Sequence, residues 1–273
     1  MTSDSLPLAL PADAQRLIRA LQAELSQALQ RNLVGLYLSG SAVRGLFNPY
    51  LSDLDVTCVV RRPLGKRVRQ RLGELIRGLS EREPYGRRLE CVIAAREQVN
   101  RDDPSLVVDY VAEGQLRPEP LGHRWPIYRQ SLRESGIGLT GPSPAELFAP
   151  ASWETLQEAI VFEMVRTARL LDRPLAAADR LLAATNLPRL LYGLRFRRLA
   201  TRLEGLQWAQ SSFPEEWQDL IQRVYALYVG QSHPGDGAPR ADEVLAFYSW
   251  AMGLLPQPLY RSAVSEWLRW SSA

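Results

Sequence analysis

The sequence predicts an α/β unit, a mixed sheet with flanking helices, followed by an all-α helical bundle. Three observations predict it. Short apolar runs centred near residues 37, 56, 91 and 108 alternate with amphipathic stretches in the first half. From Trp153 onward the apolar residues recur at helical spacing. Between the two regimes lies TGPSPAELFAP, rich in proline and glycine, which reads as an interdomain linker. The expected domains are therefore residues 1–140 and 150–273.

Residues 12–31 set Leu17, Ile18, Leu21, Leu25 and Leu29 on one face after a proline-rich start, which predicts a helix. VGLYLSG reads as a strand ending in a Gly-Ser turn. AVRGLF can begin a short helix, which Asn48-Pro49-Tyr50 breaks. LDVTCVV is a second strand, closed by Arg61-Arg62-Pro63, and residues 64–82 form an Arg-rich amphipathic helix. RRLECVIAA and SLVVDYVA are the third and fourth strands, and IYRQSLRESGIGL reads as a helix leading to the linker. Four helical stretches are expected beyond it, at residues 153–171, 176–203, 215–231 and 241–255, with SHPGDGAP (232–239) as a loop between the last two.

The 273 residues suffice for two modest domains. With 33 Lys and Arg against 30 Asp and Glu, the net charge of +3 gives no basic signature of a nucleic-acid binder. Cys58 and Cys91 have neither a zinc spacing nor the number for a disulfide framework, and read as buried thiols. The first residues, MTSDSLPLALPADAQ, carry acid and proline where a secretion signal needs a basic start and an apolar run, and no apolar run has membrane-span length. A cytoplasmic protein without a membrane partner is expected.

The chemistry is written in Leu38-Ser39-Gly40-Ser41-Ala42-Val43-Arg44-Gly45 and Leu51-Ser52-Asp53-Leu54-Asp55-Val56. A Gly-Ser turn at a strand end lets backbone amides approach a triphosphate, and the Ser41 hydroxyl adds a donor. Asp53 and Asp55, two apart on a strand, would turn both carboxylates to one face. Two hard oxygen ligands suit Mg2+, which draws its other ligands from water and the nucleotide's phosphates. Glu90, on the next strand, can complete the metal site or take the proton of an attacking hydroxyl. His123 and His233 fall in turn-rich segments away from the acids and are not candidate bases.

Gly40, Ser41, Asp53, Asp55 and Glu90 in this order resemble the polymerase-beta-like nucleotidyltransferases. Within that superfamily, Tyr37 to Gly45 with Ser52-Asp53-Leu54-Asp55 is similar to the aminoglycoside adenylyltransferases that modify streptomycin and spectinomycin. Leu139-Thr140-Gly141-Pro142 with Glu146-Leu147-Phe148 is similar to that family's junction to its helical domain. The resemblance implies a nucleotidyltransferase fold and Mg2+-dependent transfer of AMP from ATP to a hydroxyl of a small acceptor, such as an aminoglycoside or aminocyclitol. It implies Glu90 as catalytic base, Arg189 and Arg202 as triphosphate contacts ahead of the Trp208-Ala209 pair, and Asp179 as an acid facing the acceptor. Arg202 stands where the family has lysine, which keeps charge but not geometry. The family's aromatic drug contact after the third carboxylate is a Trp, and here no Trp precedes Trp125. That points to spectinomycin-type acceptors ahead of streptomycin.

Plainer readings stand beside these. Arg189 and Arg202 lie in an Arg-rich stretch that also suits a solvated helix face, Arg44 suits a surface role, and Asp179 suits pairing with a neighbouring arginine. Trp153, Trp208, Trp217 and Trp250 suit helix packing. Glu154, Glu158 and Glu163, with Asp179, supply local acidity for a cationic acceptor. Two other function classes remain open at this level: a nucleotidyltransferase acting on a protein or RNA, and a non-catalytic nucleotide-sensing or partner-binding module.

Overall fold

The computed structural model describes residues 10–171, 173–230 and 237–271. The chain divides into two compact units, Met1–Ala151 and Ser152–Ala273.

The first unit opens with helix α1 (Ala12–Leu29), whose Ala14, Leu17, Ile18, Leu21, Leu25 and Leu29 are all buried. Strand β1 (Leu33–Leu38) leads through a 3-10 turn to β2 (Leu54–Val60), then α2 (Lys66–Arg82), β3 (Leu89–Ala95), β4 (Val107–Ala112) and β5 (Gln115–Pro120). Helix α3 (Trp125–Ser135), β6 (Ile137–Thr140) and the short α4 (Pro144–Leu147) complete it. The six strands lie in the order β5-β4-β3-β2-β1-β6. β2 and β3 pair in parallel, joined through α2, and the other pairs are antiparallel.

Both sheet faces are covered, so the central strands read as nearly unbroken apolar runs. Leu36, Leu38, Val56, Cys58, Val60, Cys91 and Ile93 join one core with α1 and α2. Tyr37, Val59 and Ala94, one residue out of phase, pack with Trp125, Leu147 and Phe148 on the other face. Cys58 and Cys91 are fully buried thiols, and burial pushes the Cys91 thiol up to about 12 and Cys58 well above its ordinary value.

Two expectations are corrected here, and one strand was not foreseen. The helix read through IYRQSLRESGIGL stops at Ser135, and Ile137–Thr140 becomes a strand beside β1. β5 went unpredicted because Pro118 and Pro120 interrupt its pattern, and prolines are tolerated on the outermost strand of a sheet. The stretch expected as a linker instead packs on the first unit. The Tyr37 hydroxyl donates to the Pro142 carbonyl at 3.0 Å, Phe148 is buried, and Asn100 holds both the Leu147 carbonyl and the Ala149 amide.

The second unit holds α5 (Trp153–Leu170), α6 (Ala177–Phe196), α7 (Arg202–Ser212), α8 (Gln218–Tyr228), α9 (Ala241–Gly253) and α10 (Gln257–Ser271). Residues 176–203 are not one helix: Arg197 takes the left-handed conformation, and Thr201 with Glu204 forms a capping box that starts α7. α10, which the periodicity did not single out, packs against α5. Trp208, Trp217 and Trp250 stack in a chain of rings with Phe213 and Phe247, so these three are packing residues. His233, within the expected 232–239 loop, lies outside the described residues, as do the first nine. Among the described residues, no helix is long and apolar enough to cross a membrane.

Candidate active site

The Gly-Ser turn and Asp55 are built against each other. The Ser39 amide donates to the Asp55 carbonyl at 2.9 Å, continuing the β1–β2 pairing past Leu38. Gly40 then turns with φ +70° into a 3-10 turn, Gly40–Val43, with Ser41 half-buried within it. A Cβ at Gly40 would fall on Oδ2 of Asp55, 2.9 Å from its Cγ. Glycine is thus required twice, by its backbone angle and by the carboxylate lying against it.

Asp55 is the register partner of Glu90 across the parallel β2–β3 pair. Partners in register project to the same face about 4.8 Å apart, so the two carboxylates are neighbours on the face opposite α1 and α2. Asp53 differs from expectation: β2 begins at Leu54, so Asp53 sits one residue ahead of the ladder. Its carboxylate lies 3.9 Å from Nε of Arg88 and is 44% exposed. Among the described residues, no three His, Cys, Asp or Glu side chains gather as a ready-made metal cage. Glu90, the register partner of Asp55, stands next to the aspartate pair on the neighbouring strand. The donor set still fits Mg2+, which is held by one or two carboxylates plus waters and substrate phosphates. The close approach of Asp55 to Gly40 sets one such oxygen beside the turn that would meet a triphosphate.

β4 supplies a residue that the sequence pattern did not reveal. Tyr110 pairs with Val92, which places it on the Glu90 face, and its hydroxyl hydrogen-bonds the Glu90 side chain. Burial first, and the Glu90 charge next, push the Tyr110 phenol well above its ordinary range, so it stays a neutral donor. Arg124 lies over the ring of Tyr128 at 5.4 Å, and both act on Tyr110 electrostatically. Only strand register reveals this grouping. Arg44, which suited a surface role in the sequence, instead reaches α3, with donors 2.9 Å from Ser131 Oγ and 3.2 Å from Ser135 Oγ.

In the second unit, Arg189 and Arg202 lie on different helices, α6 and the first position of α7, not on one helical face. The helices touch closely there: a Cβ on Gly205 would lie 2.5 Å from Arg189 Cα. Neither arginine is a fully solvated face residue. Both are half-buried, Arg189 Nε donates to Asn186 Oδ1, and Nε of Arg202 is buried without a hydrogen-bond partner. Both act on the buried Tyr248, whose phenol is pushed up by burial and then by Glu163. Glu163 is itself buried and pairs with Arg166 at 3.3 Å, while Glu154 and Glu158 are exposed. Asp179 is exposed in the first turn of α6. Its neighbour Arg180 turns to the carbonyls of Leu175 and Pro239, at 2.6 and 2.8 Å.

Comparison with known proteins agrees with this geometry. The family model described as "Nucleotidyltransferase domain" matches residues 18–114, from within α1 to the β4–β5 turn. The aminoglycoside (3'') (9) adenylyltransferase of Escherichia coli is 25% identical over 245 residues, spanning 84% of this chain and 90% of that protein. Proteins of the same description from Klebsiella pneumoniae and Shigella flexneri align to the same extent. A crystal structure of spectinomycin adenyltransferase AAD(9) from Enterococcus faecialis, with ATP and spectinomycin, superposes with a TM-score of 0.73 at 19% identity. It covers 87% of this chain and 98% of that one, and establishes the shared fold.

Proposed function

We propose that this chain, whose residues 18–114 form a nucleotidyltransferase domain, transfers AMP from ATP to a hydroxyl of an aminoglycoside or aminocyclitol, with spectinomycin-type compounds preferred to streptomycin. The observation that carries the reading is the Gly40 turn pressed on the Asp55 carboxylate, with Glu90 as its register partner. In this reading the turn binds phosphate, Asp55 offers a metal-ligand oxygen against it, and Glu90, on the same sheet face as Asp55, acts as the base.

Asp53 and Asp55 would hold Mg2+, which when bound supplies positive charge to the triphosphate oxygens. The amides of the Gly40–Val43 turn and the Ser41 hydroxyl bind the outer phosphates. Glu90 accepts the proton of the acceptor hydroxyl as that oxygen attacks the α-phosphorus, and the bond from the α-phosphorus to the bridging oxygen breaks, releasing pyrophosphate. Tyr110 donates to Glu90 and so orients its carboxylate. In the second unit (the expected domain 150–273), Arg189 and Arg202 are the proposed triphosphate contacts and Asp179 the proposed contact of the cationic acceptor, as the family resemblance implies. No Trp precedes Trp125, where the resembling family carries its aromatic drug contact, and this supports the choice of spectinomycin-type acceptors over streptomycin. With ATP as the donor, the cytoplasm is the proposed place of action. Mass spectrometry of drug incubated with ATP, Mg2+ and the protein tests the reading: an adenylylated drug supports it, and its absence across a panel of aminoglycosides and spectinomycin rejects it.

A further inference from the structure

Arg88 lies immediately ahead of β3, two residues before Glu90, and reaches back to the turn that carries Asp53. Nη1 donates to the Pro49 carbonyl and Nη2 to the Ser52 carbonyl, while Nε lies 3.9 Å from Asp53 Oδ1. The guanidinium sits 5.5 Å over the Tyr85 ring, which meets Phe47 edge-on at 5.6 Å. Bonds within the turn also shape it. Asn48 N donates to Ser52 Oγ and Ser52 N to Asn48 O, both at 2.9 Å, and both residues are buried. None of those internal bonds ties the turn to β3, whereas Arg88 does.

An exposed ion pair at 3.9 Å contributes little positional restraint by itself. The two charge-assisted bonds to carbonyls are directional, and one of those carbonyls belongs to the residue preceding Asp53. Fixing it fixes where the Asp53 carboxylate can stand. Only a planar fork can hold both carbonyls and still face the carboxylate; a lysine ammonium is a single point.

We propose that Arg88 is a positioning residue, holding the Pro49–Ser52 backbone so that the carboxylate of Asp53 stands beside that of Asp55. The proposal rests on the adenylyltransferase reading for its consequence in turnover, but its structural part is tested without substrate. Arg88→Ala and Arg88→Lys are compared with the unaltered chain by amide hydrogen exchange in the metal-free protein, thermal unfolding, and pyrophosphate release against Mg2+ and acceptor concentration. In both variants the Leu51 and Ser52 amides should exchange faster by about tenfold, with β2 and β3 unchanged. Turnover should fall about 10- to 100-fold, with the acceptor KM moving less than about threefold and the half-saturating Mg2+ rising. Added guanidinium should restore part of the turnover of Arg88→Ala. Unchanged exchange at Leu51 and Ser52, or unchanged turnover in either variant, overturns the proposal. Should Arg88→Ala fail to fold, Arg88→Lys carries both readings. An unaltered chain that releases no pyrophosphate removes the adenylyltransferase reading, and the exchange comparison still decides whether Arg88 holds the turn.

Discussion

Replacing Gly40 with alanine isolates the contact on which the site is built. Two penalties act at that position. The backbone sits at φ +70°, where a side chain costs about 1–2 kcal/mol. The new methyl would also stand far inside van der Waals contact of Asp55 Oδ2 and 2.9 Å from Cγ, so the carboxylate has to move by about 1 Å or more. Gly45 separates the two effects. It has φ +68° and nothing within 4 Å of where a Cβ would stand, so Gly45→Ala carries the backbone penalty alone. Both variants should therefore melt lower by about 2–8 °C. Only Gly40→Ala should lose turnover, by about a hundredfold, because a 1 Å displacement of a reacting group costs about that much. Pyrophosphate release with ATP and spectinomycin, run beside thermal unfolding, reads both quantities. Full turnover in Gly40→Ala, or an equal loss in Gly45→Ala, refutes the claim that the turn and the Asp55 carboxylate form one site.

The same geometry sets the outcome of other substitutions. Asp55→Asn keeps the side-chain shape and removes the charge against the turn, so turnover should drop at least about a hundredfold with the fold retained; near-normal turnover at ordinary Mg2+ would remove Asp55 from the metal site. Glu90→Gln should bind ATP normally but lose about 10²- to 10⁴-fold in the chemical step, measured by single-turnover quench. Tyr110→Phe should lose only about 2- to 12-fold, the worth of one orienting hydrogen bond, and a loss as large as that of Glu90→Gln would make Tyr110 a reacting group itself. Arg189→Ala and Arg202→Ala should each weaken ATP binding about tenfold or more, from charge-assisted contacts of about 1.5–3 kcal/mol, as read by calorimetry. Unchanged affinity in both would assign the pair to the interior of the helical unit.

Much of the fold was legible because periodicity reports burial. The α1 face and the first four strands each carry an uninterrupted apolar pattern, and all five formed. β5 and β6 escaped notice because outermost strands need no such pattern: QLRPEP is polar and proline-bearing, and IGLT is only four residues long, directly after the glycine that ends α3. The α6–α7 break was hidden because Arg197 adopts the left-handed conformation without a glycine to announce it. In the proposed site, Gly40, Ser41, Asp53, Asp55 and Glu90 were the candidates that the sequence pattern and its family resemblance offered. Arg88 and Tyr110 were not among them. Their roles come from strand register and from the reach of a long side chain, and a cation near a turn or a tyrosine on a strand looks the same in sequence when it does nothing.

The central claim is tested most directly by incubating the purified chain with ATP, Mg2+ and spectinomycin, with streptomycin in parallel, and weighing the products. The account predicts spectinomycin heavier by one adenylyl group, one pyrophosphate released per adduct, a weaker or absent streptomycin adduct, and none of these with Asp55→Asn. A folded chain that binds ATP yet adenylylates neither drug, nor any other aminoglycoside, would contradict it.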